Sequence, residues 1–329
     1  IPGDGIGPEI VQSAKNVIES TGVQIEWEEK IAGQCAIPDF GHPVPDPVFD
    51  SIKATHATLK GPMTNVRDNK FPGPNGYLKR TLGLYANVRF AQSFAGVKSL
   101  YHDIDLVVVR ELTEDVYRGQ EQMVGEDAAI AVKFTTRKGA RRVNRFAFEF
   151  AVKEKRKKVT VALKANVLRL TDGLFLKEAQ NISKDFPEIE FEEMNIDALC
   201  LELVRKPQEF DVLVLPNQYA DIVADLAGGL VGSVGLCPGA NIGHEIAVFE
   251  AAHGSAPKYA GLNKVNPTAM ILSGALMLEY LGERDSALKI KTAVSEILRE
   301  GKNTTYDLGG TAGTTQMTDA IIDKIRTVA

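Results

Sequence analysis

Two aspartates four residues apart, Asp221 and Asp225, follow the apolar run at residues 211–216. A short apolar run that ends in proline is typical of a buried strand leading into a helix. Residues at i and i+4 lie on the same helix face, and two carboxylates there repel each other unless a cation lies between them. Such oxygen ligands suit Mg²⁺ or Mn²⁺. A metal site is therefore one interpretation, and an exposed acidic helix face, which is common at this spacing, is the other.

Three cations stand close to the ends of predicted elements. Arg110 follows the apolar run 104–109, and Lys79 and Arg89 flank a segment that changes from helical to extended spacing. Open α/β sheets present ligand-binding groups at the carboxyl ends of their strands. Because arginine binds carboxylates in a bidentate manner, the three cations together favour a site for a substrate with several carboxylates over unrelated surface positions.

Two further residues have both a chemical and a simpler interpretation. Lys164 ends the predicted strand 159–163, where a lysine in an apolar setting can transfer protons. The simpler interpretation is a long side chain that extends into water. Asp197 opens a helix after the predicted strand 191–194, where capping of the helix is the default role and a third ligand for the aspartate pair is the alternative.

The order of the predicted elements indicates the fold class. Strands alternate with helices through most of the chain, which predicts an α/β fold of parallel βαβ units with helices on both faces. The turn at residues 3–10 reads GxGxG and lacks the usual dinucleotide-binding spacing. Residues 61–76 predict a long loop, and the glycines of residues 228–239 predict a loosened crossover. Residues 118–137 interrupt the alternation and predict a protruding arm or a dimer strand.

Composition limits the classes of partner. The 329 residues are enough for two domains, and 44% hydrophobic with 25% charged residues is ordinary for a soluble globular protein. A net charge of −5 gives no argument for binding nucleic acid or an anionic membrane. The three cysteines are far apart and contain no CxxC, which indicates a reducing compartment. No signal peptide or membrane-spanning run is expected.

Six segments occur in the order found in the β-decarboxylating dehydrogenases, and the chain resembles this family along nearly its whole length. The family contains isocitrate, 3-isopropylmalate, homoisocitrate and tartrate dehydrogenases, and the chain is most similar to the isocitrate dehydrogenases of the tricarboxylic acid cycle. The segments are Ile1–Ile10, Leu84–Arg89, Val109–Glu111 with Tyr117, Leu163–Asn166, Asp221–Asp225 and His253–Pro257. This resemblance favours the metal interpretation of the aspartate pair.

The resemblance implies an isopropylmalate-dehydrogenase-like two-domain fold that differs from the standard Rossmann domain. Residues 1–84 and 232–329 would form the large domain on the cofactor side, and residues 85–231 the small domain with the dimer interface. A clasp-like arm at about residues 118–137 would join two subunits into a homodimer with a shared active site. The location would be the cytoplasm in a bacterium and the mitochondrial matrix in a eukaryote.

The resemblance also implies a role for each candidate residue. Asp221 and Asp225 would bind Mg²⁺ or Mn²⁺ in one subunit, and Asp197 would be the ligand supplied by the partner. Tyr117 and the partner subunit's Lys164 would form the acid/base pair. These implied roles make a complete site a property of the dimer.

The substrate would be held by Arg89, Arg110, Asn75 and Lys79. Isocitrate-specific members carry a serine and an asparagine two residues apart, and an arginine four beyond the asparagine. Asn75 matches this pattern, whereas Gly73 replaces the serine and Lys79 replaces the arginine. Isocitrate, a tricarboxylate, is the expected substrate, and homoisocitrate or 3-isopropylmalate is the alternative.

The expected cofactor is NADP, with NAD as the alternative. NAD-dependent members usually carry an aspartate and an apolar residue where this chain has Lys258 and Tyr259, and the cation and phenol match the NADP-dependent pattern together with Val265 and Tyr306. The further arginine of that pattern is Gly310 here. The resemblance implies additional cofactor contacts from Thr64, His253, Gly254 and Asn266.

A different class of function is a non-catalytic regulatory chain of a hetero-oligomeric NAD-dependent isocitrate dehydrogenase. Such chains typically lose metal ligands or acid/base residues. This chain keeps all five of these residues, which favours an enzyme.

Overall fold

The computed structural model describes residues 1–65 and 70–327, and in this part of the chain eight strands form one mixed sheet and two more form a separate hairpin. The strands are β1 (Ala57–Leu59), β2 (Ala86–Gln92), β3 (Asp105–Glu111), β4 (Glu121–Val124), β5 (Ala128–Ala131), β6 (Lys158–Leu163), β7 (Glu190–Asn195), β8 (Val212–Leu215), β9 (Pro238–Ile242) and β10 (Ala247–Ala251). The α-helices are α1 (Gly7–Ser20), α2 (Ile37–Phe40), α3 (Asp46–Thr55), α4 (Pro74–Thr81), α5 (Arg137–Lys153), α6 (Thr171–Ser183), α7 (Ile196–Arg205), α8 (Asn217–Leu230), α9 (Thr268–Leu281), α10 (Arg284–Glu300) and α11 (Thr314–Thr327).

The sheet confirms the α/β class but corrects the expectation of parallel pairing throughout. Its strand order is β1-β10-β9-β2-β3-β8-β6-β7. Strands β3, β8, β6 and β7 pair in parallel, as βαβ units require, whereas β2 runs antiparallel to both β3 and β9. Strands β9 and β10 also pair antiparallel, because the few residues between them are too short for a crossover.

The sequence predicted that the glycines of residues 228–239 lie in an irregular crossover segment. This prediction was wrong for three of them. Gly228 and Gly229 belong to α8, and Gly239 belongs to β9. A Cβ at Gly239 would come within 3.1 Å of the carbonyl oxygen of Glu250 on the neighbouring strand. At this position the glycine permits close approach of two backbones, and it does not mark an irregular stretch.

The apolar core falls into several large clusters that pack helices against the sheet. One cluster packs α1, α9, α10 and α11 against β9 and β10, and its residues come from both ends of the chain. A second cluster packs α5 and α6 against the middle strands. Helix α9 is apolar on nearly all sides because it lies at the centre of the first cluster. The division into residues 1–84 with 232–329 and residues 85–231 is in keeping with these clusters and stays a prediction.

A hairpin formed by β4 and β5 stands apart from the main sheet. All eight of its strand residues are exposed, and they include Met123, Val124 and Ile130. An exposed apolar surface of this kind marks an interaction site. The hairpin spans residues 121–131 and is shorter than the predicted arm of 118–137, because α5 already begins at residue 137.

In the described ranges, no helix is both long enough and apolar enough to cross a membrane.

Candidate active site

The aspartate pair lies on α8, which follows directly from the buried strand β8 as the sequence predicts. Pro216 stands between the two elements, and Asp221 and Asp225 lie one turn apart. The Asp225 side chain is 69% exposed and that of Asp221 is 32% exposed. Both carboxylates are thus accessible to a ligand at the surface of one chain.

Two arginines from neighbouring strands reach the same carboxylates. Arg89 on β2 donates a 3.0 Å hydrogen bond to Asp225 and lies 3.8 Å from Asp221, and Arg110 on β3 forms an ion pair with Asp221. The two strands pair antiparallel, and β3 lies beside β8, so the sheet itself brings these cations to the start of α8. The arrangement joins two cations to two anions. A metal ion bound to the aspartates would release the guanidinium groups to bind substrate carboxylates.

Tyr117 completes this group. Its hydroxyl donates a 3.1 Å hydrogen bond to Asp221, and the Arg110 guanidinium lies 5.4 Å from its ring centre. Burial and the Asp221 carboxylate raise the pKa of Tyr117, so the phenol stays protonated at neutral pH. A protonated hydroxyl beside Asp221 and Arg110 is suited to proton donation.

Lys164 and Asp197 form a second group. They are ion-paired because β6 and β7 run in parallel with Leu163 opposite Asn195, so both chain segments leave the sheet at the same edge. The hydrogen bond from Lys164 lowers the pKa of Asp197. Asp197 is not the cap of α7, as one interpretation expected, since Asn195 precedes the helix and Asp197 lies in its first turn. There the helix dipole favours an acid.

The two groups do not merge into a three-carboxylate site within one chain. Across the described residues there is no cluster of three or more histidine, cysteine, aspartate or glutamate side chains that could hold a metal ion. Within one chain, Asp221 and Asp225 lie together as possible metal ligands, whereas Asp197 lies apart from them and is paired with Lys164. The assignment of Asp197 to the site of a second protomer stays a prediction.

The two residues predicted to meet the far end of the substrate lie in a buried charge network. Lys79 on α4 donates to Glu250 at 2.7 Å, and Lys60 donates to the other oxygen of Glu250 at 2.6 Å and to Asn75 at 3.1 Å. Burial alone would raise the pKa of Glu250, but Lys60 and Lys79 hold it well below its usual value. Burial lowers the pKa of Lys79. The network carries two basic side chains and one carboxylate.

Sequence reasoning missed Lys60 and Glu250. Lys60 follows β1 and could have been found by the same strand-end rule that identified Arg110 and Lys164. Glu250 lies on β10, a strand that was not predicted. The loop predicted at residues 61–76 includes residues 66–69, which lie outside the described residues.

The predicted cofactor residues lie in two groups. In the first, the hydroxyls of Thr64 and Ser255 are 2.8 Å apart, next to the loop that carries His253 and Gly254. Burial lowers the pKa of His253, which favours the neutral imidazole. This group adjoins the first turn of the chain, because the Thr64 amide donates to Asp4 at 2.7 Å.

The second group is cationic and aromatic. Lys258 lies 4.8 Å from the ring centre of Tyr259, whose ring is 6.0 Å from that of Tyr306, and Lys264 lies 5.1 Å from the ring centre of Tyr306. The Tyr306 hydroxyl and Lys258 lower the pKa of Tyr259. Ammonium and phenol groups in this arrangement can bind a phosphate.

Three neighbouring positions complete the description of the cofactor residues. Val265 is almost fully buried in the core, and Asn266 donates to Asp307 at 3.0 Å. A Cβ at Gly310 would clash with the carbonyl oxygen of Thr304. The backbone at this point leaves no room for the arginine that the NADP-dependent pattern contains.

Comparison with known proteins places the chain among the isocitrate and isopropylmalate dehydrogenases. The model of the isocitrate/isopropylmalate dehydrogenase family matches residues 1–321. The chain is 44% identical over 325 residues to the mitochondrial isocitrate dehydrogenase (NAD) catalytic subunit 5 of Arabidopsis thaliana, covering 98% of this chain and 87% of that protein. It is 43% identical over 326 residues to a mitochondrial isocitrate dehydrogenase (NAD) regulatory subunit of Dictyostelium discoideum, covering 99% and 90%.

A solved structure is equally similar. The crystal structure of isocitrate dehydrogenase from Methylococcus capsulatus superimposes with a TM-score of 0.95 at 47% identity, covering 99% of this chain and 98% of that one. The resemblance read from six sequence segments is thereby confirmed at the level of both sequence and fold.

Proposed function

The chain belongs to the isocitrate/isopropylmalate dehydrogenase family, and on that premise we propose that it catalyses the oxidative decarboxylation of isocitrate to 2-oxoglutarate and CO₂ with reduction of NADP. The observation that carries the proposal is the convergence of Asp221 and Asp225 with Arg89, Arg110 and Tyr117 at one edge of the sheet. This group contains metal ligands, carboxylate-binding cations and a proton donor within contact of one another.

The residues present fit a divalent metal ion. Asp221 and Asp225 offer hard oxygen atoms that already hold two cationic guanidinium groups, so the position is suited to positive charge. When bound, the metal supplies positive charge that favours loss of the substrate hydroxyl proton, and the nicotinamide accepts the hydride.

The protein's own residues perform the remaining tasks. Arg89 and Arg110 bind substrate carboxylates and fix the orientation of the carbon that loses hydride. The partner subunit's Lys164 accepts the hydroxyl proton. Tyr117 returns a proton to the carbon from which CO₂ has departed, because its hydroxyl lies beside Asp221 and Arg110.

Isocitrate is favoured over 3-isopropylmalate by the buried network at the far end of the site. Lys79 and Lys60 share Glu250 and so keep an excess positive charge in a region away from water. An alkyl group placed against this charge would remove its remaining hydration without compensation, whereas a carboxylate would neutralise it. Homoisocitrate has a carboxylate at the corresponding end and is the second candidate.

NADP is favoured by the group of Lys258, Tyr259 and Tyr306. In the NAD-dependent members that the chain resembles, a carboxylate binds the ribose hydroxyls at the first of these positions, and a lysine there would instead attract the 2′-phosphate. The relatives named above carry NAD in their names, and Gly310 removes one cation from the NADP pattern. A kinetic comparison of the two cofactors therefore tests the preference.

The proposed assembly is a homodimer with a shared active site, since one chain separates Lys164 and Asp197 from the aspartate pair. The Dictyostelium discoideum relative is a regulatory subunit, and a hetero-oligomer is the alternative. Retention of Tyr117 and Lys164 supports a catalytic chain. The mitochondrial names of the relatives support the matrix as the location if the source is eukaryotic, and the cytoplasm is proposed for a bacterium.

One assay tests the proposal. The purified chain alone is mixed with Mg²⁺, with NADP or NAD, and with isocitrate, homoisocitrate or 3-isopropylmalate. We expect the highest kcat/KM with isocitrate and NADP, together with one CO₂ released per reduced cofactor. Absence of metal-dependent turnover by the chain alone would favour the regulatory alternative, and a higher kcat/KM with NAD would overturn the cofactor proposal.

A further inference from the structure

A partly buried lysine, Lys133, lies between two carboxylates that belong to different parts of the chain. Its ammonium nitrogen is 2.8 Å from Asp115 and 3.2 Å from Asp172, and it lies 4.6 Å from the ring centre of Tyr219. The side chains of Lys133, Asp115 and Asp172 are 14%, 3% and 0% exposed. Buried carboxylates need a compensating charge, and Lys133 supplies it to both.

Asp115 holds the turn that carries Tyr117. Its φ of +71° and ψ of −167° belong to a region that residues other than glycine rarely adopt. Its carboxylate accepts hydrogen bonds from the amides of Val116 at 2.8 Å and Gln218 at 2.9 Å, and Gln218 belongs to the first turn of α8. Asp115 therefore fixes the Tyr117 turn to the helix of the aspartate pair.

Asp172 holds the loop that carries Lys164. One of its oxygens accepts a 2.8 Å hydrogen bond from the Lys164 amide. The other oxygen has no hydrogen bond among the described residues and faces Lys133. Burial raises the pKa of Tyr219 to about 12, and the Asp172 and Asp115 carboxylates add to this effect.

We propose that Lys133 is a positioning residue that couples the Tyr117 turn to the Lys164 loop within one chain. This inference rests on the proposed function, in which Tyr117 and Lys164 of one chain serve two different active sites of the dimer. Lys133 then links the two sites. A shift of its ammonium would move Asp115, which holds the turn of the proton donor Tyr117 in one site. It would also move Asp172, which holds the loop of the proton acceptor Lys164 in the other site.

Single variants test the positioning role. Lys133→Met keeps the length of the side chain and removes its charge, and we expect kcat to fall about 10- to 100-fold while the KM for isocitrate changes less than about threefold. Lys133→Arg keeps the charge and is expected to recover a part of kcat. Lys138→Met, at an exposed position of α5, is the matched control and is expected to retain kcat. Circular dichroism and dimer mass are checked for each variant.

Mixed dimers test the coupling. A dimer of one Tyr117→Phe chain and one Lys164→Met chain contains one site with both residues intact, and we expect it to recover about half of the native activity if the sites are shared. Lys133→Met is then added either to the chain that supplies the intact Tyr117 or to the chain that supplies the intact Lys164. We expect each addition to lower the remaining activity about 10-fold or more.

The outcomes separate the two proposals. If the mixed dimer recovers no activity, the shared site is refuted, and the coupling between sites with it. If activity is recovered but only one of the two additions lowers it, or neither does, the shared site stands and the coupling is refuted. If Lys133→Met does not assemble, Lys133→Gln, which also removes the charge, replaces it in each of the two arrangements, and equal activity of the arrangements with and without it then refutes the coupling.

Discussion

Replacing Glu250 by glutamine tests the charge network at the far end of the substrate site. In the native chain this carboxylate is 12% exposed and accepts from Lys60 at 2.6 Å and from Lys79 at 2.7 Å. Glu250→Gln preserves the size of the side chain and leaves two ammonium groups without an anion between them. The variant is expected to be less stable when free, and to gain more than the native protein from binding a polyanion.

The magnitude follows from the burial of the pair. Removing one partner of a buried ion pair costs about 3–5 kcal/mol, and the amide oxygen of glutamine still accepts one hydrogen bond, so we expect about 3 kcal/mol. For a chain of 329 residues, with an unfolding entropy of about 2.1 cal/mol/K per residue, that corresponds to a fall in Tm of roughly 4 °C. Because the folded-state pKa of Glu250 is lowered, its contribution is complete above the usual pKa of 4.5 and is lost as pH falls through the folded-state pKa. The difference between variant and native protein should therefore be constant from pH 8 to 5 and shrink below about 4.5.

The assay is thermal unfolding with and without isocitrate or citrate, at several pH values. Glu245→Gln, at a highly exposed position near the same strand, is the control and should change stability by less than about 0.5 kcal/mol. Equal stability of Glu250→Gln and the native protein at pH 7, together with equal stabilisation by citrate, would refute the reasoning that Glu250 compensates Lys60 and Lys79.

Three further predictions concern the metal, the cofactor and a thiol. Asp225→Asn should weaken Mn²⁺ binding, measured by calorimetry, by about tenfold or more because a charged oxygen ligand is lost, while circular dichroism is unchanged; native affinity would contradict the metal assignment. Lys258→Asp should lower kcat/KM with NADP about 10-fold or more because the phosphate contact is lost, and should not lower kcat/KM with NAD because an aspartate here can bind the ribose hydroxyls; an equal fall with both cofactors would contradict the assignment. Cys237 is buried and burial raises the pKa of its thiol to about 12, so alkylation of Cys237 in the native protein at pH 7.5 should be much slower than in the denatured protein; equal rates would contradict its burial.

Three of the predicted strands share one property. Strands β3, β6 and β8 consist mainly of apolar residues and are buried on both faces. Strands of this kind can be recognised in the sequence as nearly continuous apolar runs. Strands β9 and β10 were not predicted. Both are short, and β9 begins with Pro238 and Gly239, which are uncommon in strands. Their pairing partners lie elsewhere in the chain, so the antiparallel half of the sheet could not be inferred from periodicity.

The sequence by itself determined the α/β class and identified Asp221, Asp225, Arg89 and Arg110 as candidates, because residue type and spacing along a strand or helix are local properties. The family, and Tyr117 as a candidate, came from the resemblance of whole segments. Only the tertiary structure decided which of them meet. It joined the aspartates to both arginines, placed Lys164 beside Asp197 in a separate group, and brought distant carboxylates together around one lysine. Such contacts depend on strand order and side-chain packing, which arise from long-range pairing that local spacing does not encode.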